Sequence, residues 1–190
     1  MAEHKTATFN PLTKADHEHM AALKAGSNTS WGKLYERHQS GLVRFCGNFT
    51  ADPQLAEDWA QETFIRLKEH KGSFQQGAKL KPWLYKIARN ICLNARRSRR
   101  DVQWSESAFA TRAIELLDPD PSPASKIVGD ADTRSILARL SEDQRTAVIL
   151  RYVEGLTRKE IAEVMDVPEA TVKSRLCRAM NALRERLDRV

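Results

Sequence analysis

The chain has 190 residues, enough for one domain or two small ones, and 41% of them are hydrophobic, which suffices for packed cores. A net charge of +6 favours an anionic partner without naming it, and no run approaches eighteen apolar residues or the pattern of a secretory leader. Three scattered cysteines, Cys46, Cys92 and Cys177, lack CxxC spacing and exclude a disulfide scaffold or a zinc site; they read as buried thiols in a cytoplasmic protein.

Charge is segregated along the chain. Residues 1–30 are neutral, 31–100 carry +8, 101–133 carry −5 and 134–190 carry +3. Two basic lobes therefore flank an acidic connector. The periodicity is helical almost throughout, so an all-α fold is expected: two small helical domains joined by a flexible acidic linker.

In the first lobe helices are predicted at 14–25, 30–48, 53–70 and 82–98. The third starts after Asp52-Pro53, with Asp as N-cap and Pro in the first turn. It places Ala56, Ala60, Thr63, Phe64 and Leu67 inward. Glu57, Asp58, Gln61, Glu62 and Ile65 face outward within an arc of about 140°. An acidic face with an exposed isoleucine, in a basic lobe, is a poor surface for DNA. It suits a basic protein partner, although an ordinary solvated face has the same pattern.

Between the third and fourth helices, Lys71 to Lys81 form a glycine- and lysine-bearing loop. The fourth helix puts Leu84, Ile87, Ala88, Ile91 and Ala95 on its inner stripe. Lys86, Arg89, Arg96 and Arg97 share its outer side, with Tyr85 and Asn90 at the edges. Cations beside aromatics fit single-stranded nucleic acid, because lysine and arginine neutralise phosphates while exposed bases stack or enter pockets. Trp83 and Tyr85 as core residues, beside a solvated basic helix end, is the competing reading.

Asp118-Pro119-Asp120-Pro121-Ser122-Pro123 has proline at every second position and cannot be helical, so 101–133 reads as a linker with one short turn near Thr111–Leu117. Beyond it helices are predicted at 133–139, 142–153, 158–164 and 168–187. Ser141 with Gln144, and Thr157 with Glu160, fit capping boxes; Leu156 and Ile161 fit a hydrophobic staple around the second. Residues 157–176 have helix-turn-helix proportions. In the last helix Val172, Leu176, Ala179 and Leu183 form the buried stripe. Ala170, Thr171, Ser174, Arg178 and Asn181 lie opposite, flanked by Lys173 and Arg175. Short side chains let such a helix approach a major groove, and the cations reach base acceptors or phosphates. A basic surface helix on a bundle is the plainer alternative. Asp166 stands in the turn where glycine is commoner, and aspartate tolerates left-handed angles.

Together these features resemble the sigma factors, and within them the compact extracytoplasmic-function group. Residues 31–100 look like region 2, including Ala56-Glu57-Asp58-Trp59-Ala60-Gln61-Glu62-Thr63-Phe64 and Trp83-Leu84-Tyr85-Lys86-Ile87-Ala88-Arg89-Asn90. Residues 136–187 look like region 4, including Leu150 to Thr157 and Thr171 to Leu176. The resemblance covers about two thirds of the chain and implies a division into 1–30 (a helical extension), 31–100 (region 2), 101–133 (linker) and 134–190 (region 4). It implies that Asp58, Gln61, Glu62 and Ile65 dock on the coiled coil of the polymerase's largest subunit. Lys79, Lys81, Trp83, Lys86, Arg89 and Asn90 would capture the melted −10 strand, with Arg96, Arg97, Arg99 and Arg100 on neighbouring phosphates. Thr171, Lys173, Ser174, Arg175 and Arg178 would read or clamp the −35 element. The linker would pass through the RNA exit region, and region 4 would sit near the polymerase flap. An anti-sigma protein is the further partner implied.

Two positions depart from the family pattern. Leu80-Lys81-Pro82 stands where an aromatic commonly precedes the tryptophan motif, and Pro168 replaces a common serine cap. No cofactor, metal, catalytic residue, membrane insertion or small-molecule substrate is expected. There is no Ser/His/Asp order, Walker loop or metal-spaced cluster, and His17 and His19 read as exposed side chains. The expected function is an alternative sigma factor that melts promoters without enzymatic activity. A stand-alone helix-turn-helix regulator of duplex DNA is the main alternative. A pure protein-interaction module would leave Arg96–Arg100 without purpose.

Overall fold

The computed structural model describes residues 11–75, 77–98, 137 and 140–187. The expected linker, its short helical turn, Arg99 and Arg100 lie outside them, as does the helix expected at 133–139 apart from Leu137. Within the described residues there are seven α-helices and no strand, and no helix is long and apolar enough to cross a membrane.

The N-terminal body contains α1 (Pro11–Lys24), α2 (Asn28–Gly47), α3 (Pro53–Glu69) and α4 (Leu80–Ser98), with a 3-10 turn at Lys71–Ser73. Side-chain oxygens satisfy the free N–H groups at two helix starts. Ser27 Oγ accepts from Ser30 N at 3.3 Å, and Asp52 Oδ1 accepts from Gln54 N at 2.9 Å with Pro53 in the first turn. The core is aromatic at its centre: Phe45 is fully buried, with ring centroids 5.4 Å from Phe49 and 5.0 Å from Tyr85. Met20 and Leu23 bring α1 into this core. A buried polar pin also holds α1: Arg37 donates to Asp16 Oδ1 at 2.7 Å, and His38 Nε2 lies 3.1 Å from Oδ2. Burial alone would raise the Asp16 pKa, but the His38 and Arg37 interactions outweigh it and hold the carboxyl below its usual range.

The C-terminal body contains α5 (Glu142–Val148), α6 (Arg158–Met165) and α7 (Glu169–Leu187). Both expected capping boxes form, at Ser141/Gln144 and Thr157/Glu160, and Leu156 and Ile161 are both buried around the second. The α6–α7 turn is made by Asp166 in the left-handed region at φ 55°, and its N–H reaches the Ala162 carbonyl. Two expectations are corrected here. The helix expected over 142–153 is α-helical only to Val148; Ile149–Val153 form a π-turn closed by Glu154 N to Ile149 O at 3.0 Å. Pro168 stands just before α7 rather than in its first turn, and its carbonyl accepts the first hydrogen bonds, from Thr171 N and Val172 N.

The two bodies touch, chiefly through α4 against α6. This contact corrects a third expectation. Tyr85, expected at the edge of an outer face, is 1% exposed: its ring packs on Phe45, and Glu154 of the C-terminal body accepts from its hydroxyl. Cys46 and Cys92 are buried, but Cys177 is exposed, and His17 and His19 are half-buried rather than free in solvent.

Candidate functional site

Three surfaces carry the residues singled out above. On α3, packing of Ala56, Trp59, Ala60, Thr63, Phe64 and Leu67 into the core leaves the opposite face outward. Asp58 and Gln61 are exposed there, and Asp58 accepts from Gln54 Nε2 at 3.1 Å. Glu62 is half-exposed and pairs with Arg66 at 2.9 Å, one helical turn on. Ile65 is 51% exposed in the middle of this acidic surface, and among the described large hydrophobic residues only Tyr152 is comparably open. A single exposed aliphatic residue means little; one ringed by carboxylates has the form of a docking point.

The second surface is α4 with its preceding loop. Lys86, Asn90 and Arg97 are exposed. Trp83 is partly buried and its ring lies 5.3 Å from Phe74, which fixes its position at the loop. The remaining cations meet the C-terminal body. Lys79 pairs with Glu160 at 2.6 Å, Lys81 with Glu154 at 3.0 Å, Arg89 with Asp143 at 3.8 Å, and Arg96 with Glu142. Lys81 also donates to the Glu154 carbonyl at 2.7 Å. Burial lowers the Arg89 pKa, and the nearby Asp143 charge opposes that fall. Lys81, Tyr85, Arg89 and Arg96 follow one another at spacings of four, four and seven residues and so form one stripe of the helix.

The third surface is α7. Val172, Leu176 and Ala179 are buried, which turns Lys173, Ser174 and Arg178 outward into solvent and leaves Thr171 half-buried at the margin. Arg175 is different, because its guanidinium donates to Asp143 Oδ2 at 2.5 Å. The helix-turn-helix thus offers an open polar face with one arginine already engaged.

Residue patterns missed a fourth group, at the seam. Glu154 is 6% exposed and accepts from Tyr85 at 2.5 Å, with Arg44 3.5 Å from its other oxygen. Asn48 accepts from Arg145 Nε at 2.6 Å and donates to Thr146 at 3.0 Å, and all three are buried. A lone glutamate before Gly155 gave the only available signal. Among the described residues no group of His, Cys, Asp or Glu has the arrangement to hold a metal ion.

Comparison with known proteins adds an independent line. The family descriptions Sigma-70 region 2 and Sigma-70, region 4 match residues 34–102 and 131–183. The RNA polymerase sigma-H factor of Pseudomonas aeruginosa is 33% identical over 177 residues, covering 88% of this chain and 91% of that one. The ECF RNA polymerase sigma factor SigM of Bacillus subtilis is 31% identical, over 80% and 91% of the two chains. The chain also matches a "Probable RNA polymerase sigma factor RfaY" of Xanthomonas campestris at 29% identity, and spans 44% of that protein's length. Among solved structures, the sigma factor RpoE bound to the anti-sigma factor NepR from Bartonella quintana aligns over 83% of this chain and 96% of that one. Its TM-score is 0.64, with 26% identity. CnrH, in complex with the cytosolic domain of CnrY, shares the fold at a TM-score of 0.66 and 23% identity, over 92% and 97% of the two chains.

Proposed function

The chain belongs to the sigma-70 family, in its extracytoplasmic-function group, and from that membership we propose the residues by which it lends promoter recognition to RNA polymerase. It is an alternative sigma factor whose partners are core polymerase, promoter DNA and an anti-sigma protein. Sigma factors are non-enzymatic initiation factors, and this chain acts by binding alone. Region 2 corresponds to 31–100 and region 4 to 134–190, joined by the acidic 101–133 segment.

Asp58, Gln61, Glu62 and Ile65 dock on the coiled coil of the largest subunit. Lys79, Lys81, Trp83, Lys86, Arg89, Asn90, Arg96 and Arg97 hold the non-template strand of the −10 element. Thr171, Lys173, Ser174, Arg175 and Arg178 engage the −35 element, with region 4 near the polymerase flap. The observation that carries this reading is the segregation of surfaces: an exposed acidic face on α3 and cationic faces on α4 and α7. Unpairing DNA costs stacking energy, and a surface that holds unstacked bases and single-strand phosphates offsets part of it. Polymerase fixes the separation of the two DNA-binding bodies, so each binds at high effective concentration once the other is engaged.

Run-off transcription with purified core polymerase tests the function. Promoter-specific transcripts are expected only when this protein is added; their absence on every template from its source genome would overturn the assignment. Tight duplex binding by the protein alone, usually as a dimer, would instead favour a stand-alone regulator. Within the holoenzyme, Arg178→Ala is expected to weaken promoter binding and to reduce the slope of log affinity against log salt by roughly one. An unchanged slope would mean that Arg178 does not contact phosphate.

A further inference from the structure

We propose that α1 is a positioning element for the loop between α3 and α4, and that it acts through a reciprocal clasp made by Lys24 and Lys71. The inference rests on the reading of that loop, with Trp83 beside it, as the part that captures the −10 strand. At the C-terminal end of α1, Lys24 Nζ donates to the Phe74 carbonyl of the loop at 2.5 Å. In the opposite direction, Lys71 Nζ donates from the loop to the Leu23 carbonyl of α1 at 3.0 Å. Leu23 and Lys24 are consecutive, so the two bonds cross the same short stretch of the gap. Each element holds the backbone of the other.

The loop supplies little fixing of its own. Its 3-10 turn is closed by Ser73 N to His70 O at 2.9 Å and Phe74 N to Lys71 O at 3.4 Å, and Ala78 N bonds to Gln75 O at 3.1 Å. Such bonds shape short turns but do not set where the loop stands on the body. The contacts with α1 do. The Lys24 ammonium also lies 5.7 Å from the Phe74 ring centroid, so it grips that residue by backbone and by ring. His17, seven residues earlier on the same face of α1, brings its ring to 6.2 Å from Phe74. Phe74 is 5% exposed and its ring lies 5.3 Å from Trp83, one of the residues assigned to the strand.

A splint must itself be fixed, and α1 is. The Asp16 pin ties it to α2 through Arg37 at 2.7 Å and His38 at 3.1 Å, while Met20 and Leu23 are 1% exposed in the core. The helix ends at Gly26, with φ at 98°, where Ser27 N returns to Ala22 O at 2.9 Å. The Lys71 ammonium therefore meets α1 where its last carbonyls and the negative end of its dipole lie. A continuous path of contacts runs from α2 through Asp16 and α1 to Lys24, Phe74 and Trp83. Loosening the clasp lets the loop and Trp83 drift out of the arrangement that receives a base. The apparent affinity then falls with the fraction of chains in that arrangement.

The test uses holoenzyme assembled from core polymerase and the full chain, with a fluorescent non-template strand that carries the −10 element of a transcribed promoter. Copies of the strand lacking one −10 base each report base capture separately from phosphate contact. Lys24→Met and Lys71→Met each sever one half of the clasp. Each is expected to weaken the intact strand about tenfold and the abasic copies much less, so that discrimination between them collapses. Helicity and affinity for core polymerase are expected to stay unchanged. Lys24→Arg and Lys71→Arg keep a donor at each site and are expected to retain discrimination. Equal weakening of intact and abasic strands would mean that only a cation was lost, and a fall in helicity or core affinity would mean a merely structural contact. Either result overturns the inference, as does unchanged discrimination. The unaltered holoenzyme separates the readings beneath it: absence of transcripts removes the sigma assignment, transcripts without base discrimination remove the assignment of the loop, and the inference falls with either.

Discussion

Glu62→Lys is expected to weaken association with core polymerase by about tenfold to a hundredfold, which corresponds to roughly 1.4 to 2.8 kcal/mol. Glu62 lies on the same outward face as Asp58, Gln61 and the exposed Ile65, so a reversed charge there meets a basic partner directly. The fold should tolerate the change. Glu62 forms a half-exposed pair with Arg66, and such pairs contribute about 0.3–0.5 kcal/mol. Titrating labelled core polymerase, with helicity measured alongside, checks both halves. Unchanged affinity would remove α3 from the docking surface.

Phe45→Ala should act through the fold instead. Phe45 is fully buried on α2, with edge-on contacts to Phe49 and Tyr85. Truncating a buried phenylalanine costs about 3–5 kcal/mol, a large share of the roughly 5–15 kcal/mol that stabilises a typical domain. Thermal unfolding followed by circular dichroism should show a fall of more than about 10 °C for a body of this size. Transcription should be lost with it, whereas Glu62→Lys should lose transcription at full helicity. A loss below about 1 kcal/mol would mean that the N-terminal core is not organised around this ring.

The helices and their ends were largely legible because their causes are local. Asp52 before Pro53, Ser141 before Gln144 and Thr157 before Glu160 satisfy N–H groups within three residues, and each forms. Asp166 takes the left-handed turn for a reason carried by its own side chain. The α3 faces divide as the 3.6-residue period requires, because one side of that helix meets a core and the other meets solvent. What could not be read joins residues far apart in the chain. Tyr85 and Glu154 are 69 positions apart and Asn48 and Arg145 are 97 apart, and helical periodicity reports only on neighbours within one helix. Tyr85 lies at the edge of its own helix's stripe, and its burial comes from Phe45 of α2 on one side and Glu154 of the second body at its hydroxyl. The same limit explains why the α4 cations could be located while their present partners could not.

The π-turn at Ile149–Val153 decides where Glu154 points. An α-helical path through the same residues would close one residue earlier per turn, and each residue of such a helix turns through about 100°. Regularising this one turn would swing the carboxylate away from Tyr85 and leave Lys81 and Arg44 without their shared anion. The aim of this buried carboxylate is thus set by a single wide loop of backbone, so excising one uncharged residue there should unfasten the two halves while every charge in the protein stays in place.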